Sequence, residues 1–318
     1  MDRAAIRAGA TGGTQGGRPR TGQLGRVLRR AWRLAERALR HPAYALSVLV
    51  TVCRHPRLLR ACLRGGWRAG LLAECAALSP ETAGLFSPYE AGFFGQVYLF
   101  DEYEVGRLPL PEAPLVCDVG ANVGFFSWRV HSIRPAARVL AFEPASANHA
   151  RLRRVFAARG IGGEVCPQAC GAAGGVATLY LRSSVTHSLD PGWHTDLDRG
   201  AGSEVVPVTT LDAECDRRGI DHLHLLKIDT EGAEVQVLQG AAGILPQTDH
   251  VVLEYHSAAG RAECLRLLRQ AGFRCRDKSF WGLSAAQAEE GLLLCTRAAT
   301  TAPAARREGV RVGAADLE

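Results

Sequence analysis

Long apolar runs are scarce in this chain of 318 residues. The strongest, AYALSVLVTVC (43–53), has 11 residues and is bracketed by His41-Pro42 and Arg54-His55-Pro56. A helix that crosses a bilayer needs ~20 apolar residues. The run also begins after 42 Arg-rich residues, which is not how a secretory leader is built. The expectation is therefore a chain with neither a spanning segment nor a leader. Among the ten cysteines no C-x2-C pair occurs, so the commonest zinc spacing is missing. Cys117, Cys275 and Cys295 sit inside apolar runs, where cysteine behaves as a small hydrophobe. Cys166 and Cys170 have no matching Cys or His nearby, and reduced core thiols are expected throughout. Internal repeats are absent too.

Lysine is missing from residues 1–70. That stretch holds 15 Arg against Asp2 and Glu36, a net of +13, whereas the whole chain is +6; the other 248 residues therefore carry −7. A basic arm joined to an acidic body points to an anionic partner for the arm. Residues 1–23 are rich in Gly, Thr and Arg, show no apolar period and are expected to be disordered. From Leu24 to Arg40 apolar residues recur at i, i+3, i+4, i+7 between arginines, which predicts a basic amphipathic helix. Such a helix lies on an anionic membrane surface or packs on the body with its Arg face in water. Nucleic acid is the least favoured partner, because no basic-plus-aromatic binding module accompanies it. The expected location is cytoplasmic, with the inner face of the membrane as the site of any peripheral contact.

What is present is a globular composition, 47% apolar and 22% charged. A second helical region is expected over 57–78, broken at Gly65-Gly66. SPYEAGFFGQVYLFDEYEVGRLPLPEAP (87–114), which ends in a proline cluster, reads as a hairpin or lid. From Leu115 strand-like and helix-like segments alternate: LVCDV, a helix over 124–132, RVLAFE (138–143), a helix over 145–159, EVCPQA (164–169), VATLYLR (176–182) and EVVPVTT (204–210). LDAECDRRG (211–219) reads as a helix. LHLLKID (223–229), a helix over 231–243, HVVLEYH (250–256), a helix over 259–271, FRCRD (273–277) and LLLCTR (292–297) complete the series. Alternation with continuous apolar strands predicts a parallel sheet covered by helices on both faces. The tail from 298 is expected to be loose.

The turn after the first strand, LVCDVGANVGFF (115–126), is where a doubly wound fold receives its ligand. The dinucleotide fingerprint G-x-G-x-x-G is not there: Gly120 and Gly124 are four apart, with Asn122 between. Asp118 precedes them, and a carboxylate at that turn repels a pyrophosphate. It suits a ligand with a cationic head and no phosphate, such as S-adenosylmethionine. Glycine lets backbone come close to the ligand, and helix-terminal amides can receive its carboxylate. Glu143 ends the second strand 19 residues after Gly124, where an acid accepts both ribose hydroxyls.

The series DVGANVG, AFEP, VTTLD, LLKIDTEGAEVQVLQGA and VVLEYH, in that order, resembles the FkbM-type family of S-adenosylmethionine-dependent methyltransferases. The resemblance covers roughly 85–297, KIDTEGAE being its most distinctive element. It implies an α/β, Rossmann-like seven-stranded class I methyltransferase fold with the last strand antiparallel, here carrying a basic helical N-terminal extension (24–84). It also implies O-methyl transfer to a hydroxyl of a polyketide, sugar or glycolipid headgroup. No N-P-P-Y-type motif and no Pro-Cys nucleophile pair supports a nucleic-acid methylase, and the different-class rival is a non-catalytic cofactor-binding scaffold.

Displacement at a sulfonium needs the acceptor oxygen held in line and relieved of its proton. Strand-end residues beside the cofactor crevice supply the candidates: Asp229, Glu254 and His256. His256, with an ordinary pKa near 6.5, is read as the base; the alternative is a strand-end histidine bound to a carbonyl. Asp229 is read as fixing the acceptor, or else as an N-cap for a helix starting at Thr230. A Mg2+ ion held by Asp229 and Glu254 is the second choice to a metal-free base. Glu231 and Glu234 read as structural acids of a first helical turn. Lys227, interrupting a buried strand, pairs with Asp229 or Glu254 or snorkels. SSVTHSLDPGWH (183–194) reads as an acceptor-side loop or a solvated one.

Overall fold

The computed structural model describes residues 52–63, 67–82, 84–87, 89–182, 187–190, 202–279 and 289–297. The expectations for the arm (1–23), the basic helix (24–40), the tail from 298, and 183–186 and 191–194 of the insertion loop lie outside these residues. Among the described residues no helix is long and apolar enough to cross a membrane.

Seven strands form the main sheet: β1 (Leu115–Val119), β2 (Arg138–Phe142), β3 (Gly162–Cys166), β7 (Leu223–Ile228), β8 (Thr248–Tyr255), β9 (Phe273–Ser279) and β10 (Gly291–Arg297). Their spatial order is β3-β2-β1-β7-β8-β10-β9. The first five are parallel, and β10 runs antiparallel to both β8 and β9. Strand order reverses at β1, so the crevice beyond the carboxyl ends of β1 and β7 is the topological ligand site. β4 (Ala169–Cys170), β5 (Gly175–Leu181) and β6 (Gly202–Thr209) form a separate three-stranded sheet ordered β4-β6-β5. The single strand expected over 164–169 is thus two strands in two sheets, divided at Pro167-Gln168. Proline cannot donate to a ladder, which is why the pairing stops there.

Both faces of the main sheet are buried. Cys117, Val119, Leu140, Phe142, Leu226 and Leu253 pack on one side with residues of α6 (Leu211–Arg218), α7 (Glu234–Gln239) and α8 (Ala258–Gln270). Val116, Val139, Ala141, Leu225 and Val252 pack on the other with α4 (Phe125–Ile133) and α5 (Ser146–Arg159). Period-2 alternation that is apolar on both faces gives the doubly wound architecture. Local caps set the helix starts: Thr210 accepts from the Ala213 amide and Ser257 from the Gly260 amide.

Before β1, α1 (Pro56–Leu63) and α2 (Trp67–Leu78) lie on either side of 64–66. The segment expected as a hairpin is helical instead: one turn, α3 (Glu90–Phe93), runs into a π-helix over Phe94–Leu99. Packing decides this, because Phe94 is fully buried among Phe125, Trp128 and Tyr98, with ring centroids 5.6, 5.5 and 5.0 Å away. Cys75 of α2 joins the same buried cluster, and Arg159 donates to the Leu78 carbonyl at 3.0 Å. A domain start at 85 would cut through this packing.

The cysteine expectation needs one correction. Cys275 and Cys295 face each other across β9 and β10 and form a disulfide, with Cα atoms 4.0 Å apart. Antiparallel register makes direct cross-strand neighbours of residues 20 apart in sequence. Cys75, Cys117, Cys166, Cys170, Cys215 and Cys264 are free buried thiols. Burial pushes the thiol of Cys264 up to about 12.

Candidate active site

Of the expected cofactor residues, Gly120, Asn122 and Glu143 line the crevice, whereas Asp118 and Gly124 make contacts within the protein. Asp118 is fully buried; its Oδ2 accepts from Ser127 Oγ at 2.6 Å, and its Oδ1 lies 3.3 Å from Lys227 Nζ. It lines neither of the two cavities of the crevice. Register explains this: Asp118 stands opposite Lys227 across β1 and β7, so the carboxylate neutralises a buried ammonium instead of meeting a cationic ligand head. Gly124 also lines neither cavity; with φ 91° it opens α4, and a Cβ there would lie 2.7 Å from Leu152 Cδ1. Gly120, φ 74°, would put a Cβ 1.7 Å from the Asp229 carbonyl oxygen. Absence of a side chain at Gly120 therefore lets β7 end against the turn; the close approach is to protein first.

Gly120, Asn122, Asp229 and Glu231 form a wall shared by two cavities. The first is completed by Glu143, Pro144, Asn148, Gln168, Leu179 and His187. Glu143 is held rigidly: Oε2 accepts from the Asn122 amide and Oε1 from the Ala145 amide, both at 2.9 Å. Burial pushes its carboxyl up to about 7, against the pull of those amides and of Lys227. Gln168, which follows β3, has a buried Oε1 with no protein partner in this cavity. The described part of the insertion loop turns out to wall this first cavity through His187 and Leu189, while Ser188 Oγ donates to the Glu231 carbonyl at 2.6 Å.

The second cavity is lined by Phe93, Val97, Phe125 and Phe126 on its apolar side and by Glu102, Tyr103, Asp229, Glu231, Glu254 and Lys227 on its polar side. Asp229 and Glu254 line this cavity, and His256 lies against them without lining it. Glu254 and His256 share a face because they are two residues apart on the line of β8. His256 Nε2 lies 3.8 Å from Asp229 Oδ1, 3.6 Å from Glu231 Oε2 and 3.7 Å from Glu254 Oε1. Its Nδ1 is 3.0 Å from Glu234 Oε1.

Several expected roles change in this setting. Helix α7 starts at Glu234 with Ala233 as its cap, so Asp229 is not an N-cap. Glu231 is not in a first helical turn either: it has φ 53° in the turn before α7 and points its carboxylate at His256. A left-handed non-glycine backbone is strained, and such strain gathers at functional sites. Burial and Asp229 push the Glu231 carboxyl up to about 8, although His256 pulls the other way. Burial and Asp229 raise Glu254 well above the carboxylate range. Burial disfavours charge on His256, but Glu231, the hydrogen bond to Glu234 and Glu254 outweigh it and raise the imidazole well above 6.5. His256 is therefore not poised near 6.5; its surroundings move it upward. Lys227 pairs with Asp118 and with Asp229 (3.5 Å) and donates to the Gly120 carbonyl at 2.7 Å. Its charge is kept in spite of burial by those two carboxylates.

Tyr103 is the residue that sequence reasoning missed. Fully enclosed, it donates to Glu254 Oε2 at 2.7 Å and lies 3.3 Å from Asp229 Oδ2. Burial, then Asp229 and Glu254, raise its hydroxyl well above 10, so it stays a donor. Nothing in the spacing of FDEYE points 126 residues ahead to Asp229.

Comparison with known proteins agrees with this architecture. Residues 118–275 match the methyltransferase FkbM domain. The chain is 28% identical over 232 residues to methyltransferase sdnD of Sordaria araneosa, covering 61% of this chain and 87% of that protein. It is 32% identical over 189 residues to the 31-O-demethyl-FK506 methyltransferase FkbM of Streptomyces tacrolimicus, covering 50% and 72% respectively. It is 26% identical over 162 residues to the 2-O-methyltransferase NoeI of Sinorhizobium fredii, covering 48% and 66%. The crystal structure of methyltransferase FkbM from Methylobacillus flagellatus KT aligns with 16% identity and a TM-score of 0.44, over 63% of this chain and 47% of that one. The chain thus spans about half of that solved structure. With the seven-stranded sheet, its single antiparallel strand and the FkbM domain match, the chain belongs to the FkbM family of methyltransferases.

Proposed function

We propose that the protein transfers a methyl group from S-adenosylmethionine to a hydroxyl of a sugar, glycolipid or polyketide-like acceptor. The observation that carries this reading is the shared wall. Asp229 and Glu231 border both a cavity with a buried ribose-type carboxylate and a cavity with aromatic and acidic sides. The residues of the first cavity fit the cofactor, because each Glu143 oxygen is fixed by one backbone amide and keeps lone-pair capacity for a hydroxyl. Glu143 would hold the ribose, Gln168 the adenine edge, and the Gly120–Asn122 turn would flank the rest. When bound, the cofactor supplies a methyl group activated by its sulfonium.

The second cavity receives the acceptor. Phe93, Phe125 and Phe126 offer flat apolar surface to a sugar or polyketide carbon face, while Asp229 and Glu254 accept its hydroxyls. Tyr103 and Lys227 lock the Oδ2 side of Asp229 and so leave Oδ1 to orient the reacting hydroxyl. The hydroxyl proton passes into the cluster of Asp229, Glu254 and His256 as the oxygen–carbon bond forms. Support from outside the site comes from relatives whose names specify O-methylation, one at a 31-O and one at a 2-O position. The test is incubation of the full chain with labelled cofactor and a panel of sugars, glycolipids and macrolides, read by mass spectrometry. Gain of one methyl group on an oxygen, abolished in Asp229→Ala, is the expected result. Methyl transfer confined to nitrogen or to nucleic acid would overturn it.

A further inference from the structure

Two clusters among the described residues bring three metal-ligating side chains together: His222, His224 and Asp249 at the start of β7, and Asp229, Glu231 and His256 in the active-site crevice. The first is compromised. His224 Nδ1 accepts from the Leu115 amide at 2.9 Å, so in the neutral ring the proton sits on Nε2, the atom a metal would need. The second has the opposite character. Glu234 Oε1 stands 3.0 Å from His256 Nδ1, and a carboxylate can only accept, so Nδ1 carries the proton and Nε2 is turned toward the acids.

We propose that Asp229 Oδ1, Glu231 Oε2 and His256 Nε2 hold a divalent cation in the wall of the second cavity, where it meets the acceptor oxygen. The inference rests on the methyl-transfer reading of that cavity and adds to it the means by which the hydroxyl is activated. Distances are the first argument. Nε2 lies 3.6 Å from Glu231 Oε2 and 3.8 Å from Asp229 Oδ1. Those separations are too long for hydrogen bonds. They are within a few tenths of an ångström of the ligand–ligand edge, about 3.3–3.6 Å, of a tetrahedral shell with bonds of about 2.0–2.2 Å. All three donor atoms lie within 4.8 Å of one another.

Committed partners are the second argument. The other oxygen of Asp229 is taken by Tyr103 and Lys227, and Oε2 of Glu254 is taken by Tyr103. What converges on Nε2 is therefore the remaining oxygen of Asp229 and of Glu254, together with Oε2 of Glu231, delivered by the end of β7, by β8 and by the left-handed turn at Glu231. The imidazole is a tenth exposed or less, with 5% of its side chain accessible, and is aimed into this convergence. Three protein ligands with the remaining positions open toward a cavity is the arrangement of a catalytic cation site, not of a closed structural one. Two carboxylate oxygens and one imidazole nitrogen suit a divalent first-row ion, for which Mn2+ is the paramagnetic probe.

Coordination would polarise the acceptor hydroxyl. Glu254, outside the three-ligand set with Oε1 3.7 Å from Nε2, is favoured in its ionised form by the nearby cation and receives the proton. The acceptor oxygen forms its bond to the methyl carbon, and the carbon–sulfur pair leaves with sulfur. No redox partner is required.

The experiment uses the full chain stripped with a chelator and titrated with Mn2+, followed by electron paramagnetic resonance and calorimetry, with S-adenosylmethionine affinity measured in parallel. One Mn2+ per chain is expected. Asp229→Asn and Glu231→Gln should each weaken it more than ~10-fold, and Glu234→Gln, which releases Nδ1, by roughly 10–100-fold. Glu231→Gln should keep the circular dichroism spectrum and melting profile of the wild type, which shows that the variant is folded. His222→Ala should leave Mn2+ binding unchanged. Absence of Mn2+ binding at millimolar ion while the cofactor still binds overturns the cation site and leaves the methyl-transfer reading standing. Binding that survives Glu231→Gln, or that is lost in His222→Ala, overturns it as well. Mn2+ binding as described without any cofactor binding would instead overturn the methyl-transfer reading.

Discussion

Replacing Glu143 with Gln keeps the shape of the side chain and removes half of its accepting capacity. Both carboxylate oxygens are in use: one receives the Asn122 amide and the other the Ala145 amide, each at 2.9 Å. A glutamine can satisfy only one of them, and its own NH2 then faces a backbone donor. Hydrogen bonds to a charged acceptor contribute ~1.5–3 kcal/mol, so loss of one ribose contact weakens cofactor binding by roughly 10–150-fold. The wild-type interaction is also pH-dependent. Burial places the Glu143 carboxyl at about 7, and hydroxyl donors favour the ionised form. Affinity should therefore rise as pH goes from about 6 to 8 and level off above. The ratio of wild-type to Glu143→Gln affinity cancels any titration of the ligand itself, so the ratio is the quantity to follow by calorimetry across that range. It should grow with pH. A ratio near one at every pH, with both proteins folded by circular dichroism, would refute the assignment of Glu143 to the ribose.

Lys227→Met leaves Asp118 buried without its ammonium partner; breaking a buried pair in this way costs about 3–5 kcal/mol, and thermal melting should show a large fall in Tm that Asp118→Asn partly restores. Gly120→Ala forces a Cβ onto the Asp229 carbonyl at a φ of 74°, and should abolish cofactor binding and reduce soluble yield. Tyr103→Phe removes the donor shared by Glu254 and Asp229; turnover with a working acceptor should fall while cofactor affinity stays within about twofold. His256→Ala should lower turnover strongly, and full activity in that variant would exclude His256 from the chemistry. Deletion of residues 1–40, which carry most of the basic excess, should weaken binding to anionic vesicles most at low salt, and binding that ignores both deletion and salt would remove the case for a membrane contact.

Strand and helix periodicity was enough to foresee the main sheet, because β1, β2, β7 and β8 are buried on both faces and so read as largely apolar runs. The same logic marked Glu143 and Asp229, since a strand that must be apolar throughout can place an acid only at its end. Other features had no local signal. Glu231 reads as a helix-opening acid until Gly232 and the late start of α7 put it in a left-handed turn facing His256. Asp118 reads as a ligand contact until cross-strand register sets it against Lys227. Cys275 and Cys295 read as separate core thiols until antiparallel pairing makes them neighbours. Tyr103 enters the site from the turn after a π-helical segment held in place by Phe94 and Trp128, and contacts carboxylates 126 and 151 residues away. Sequence by itself determined the class of fold, the family and which strand ends carry the acids, because these depend on periodicity and on the order of short motifs. Only the tertiary structure decided which acids line a cavity, which face a buried lysine, and which way the surroundings move His256, because charge and coordination depend on distances between residues the chain brings together from afar.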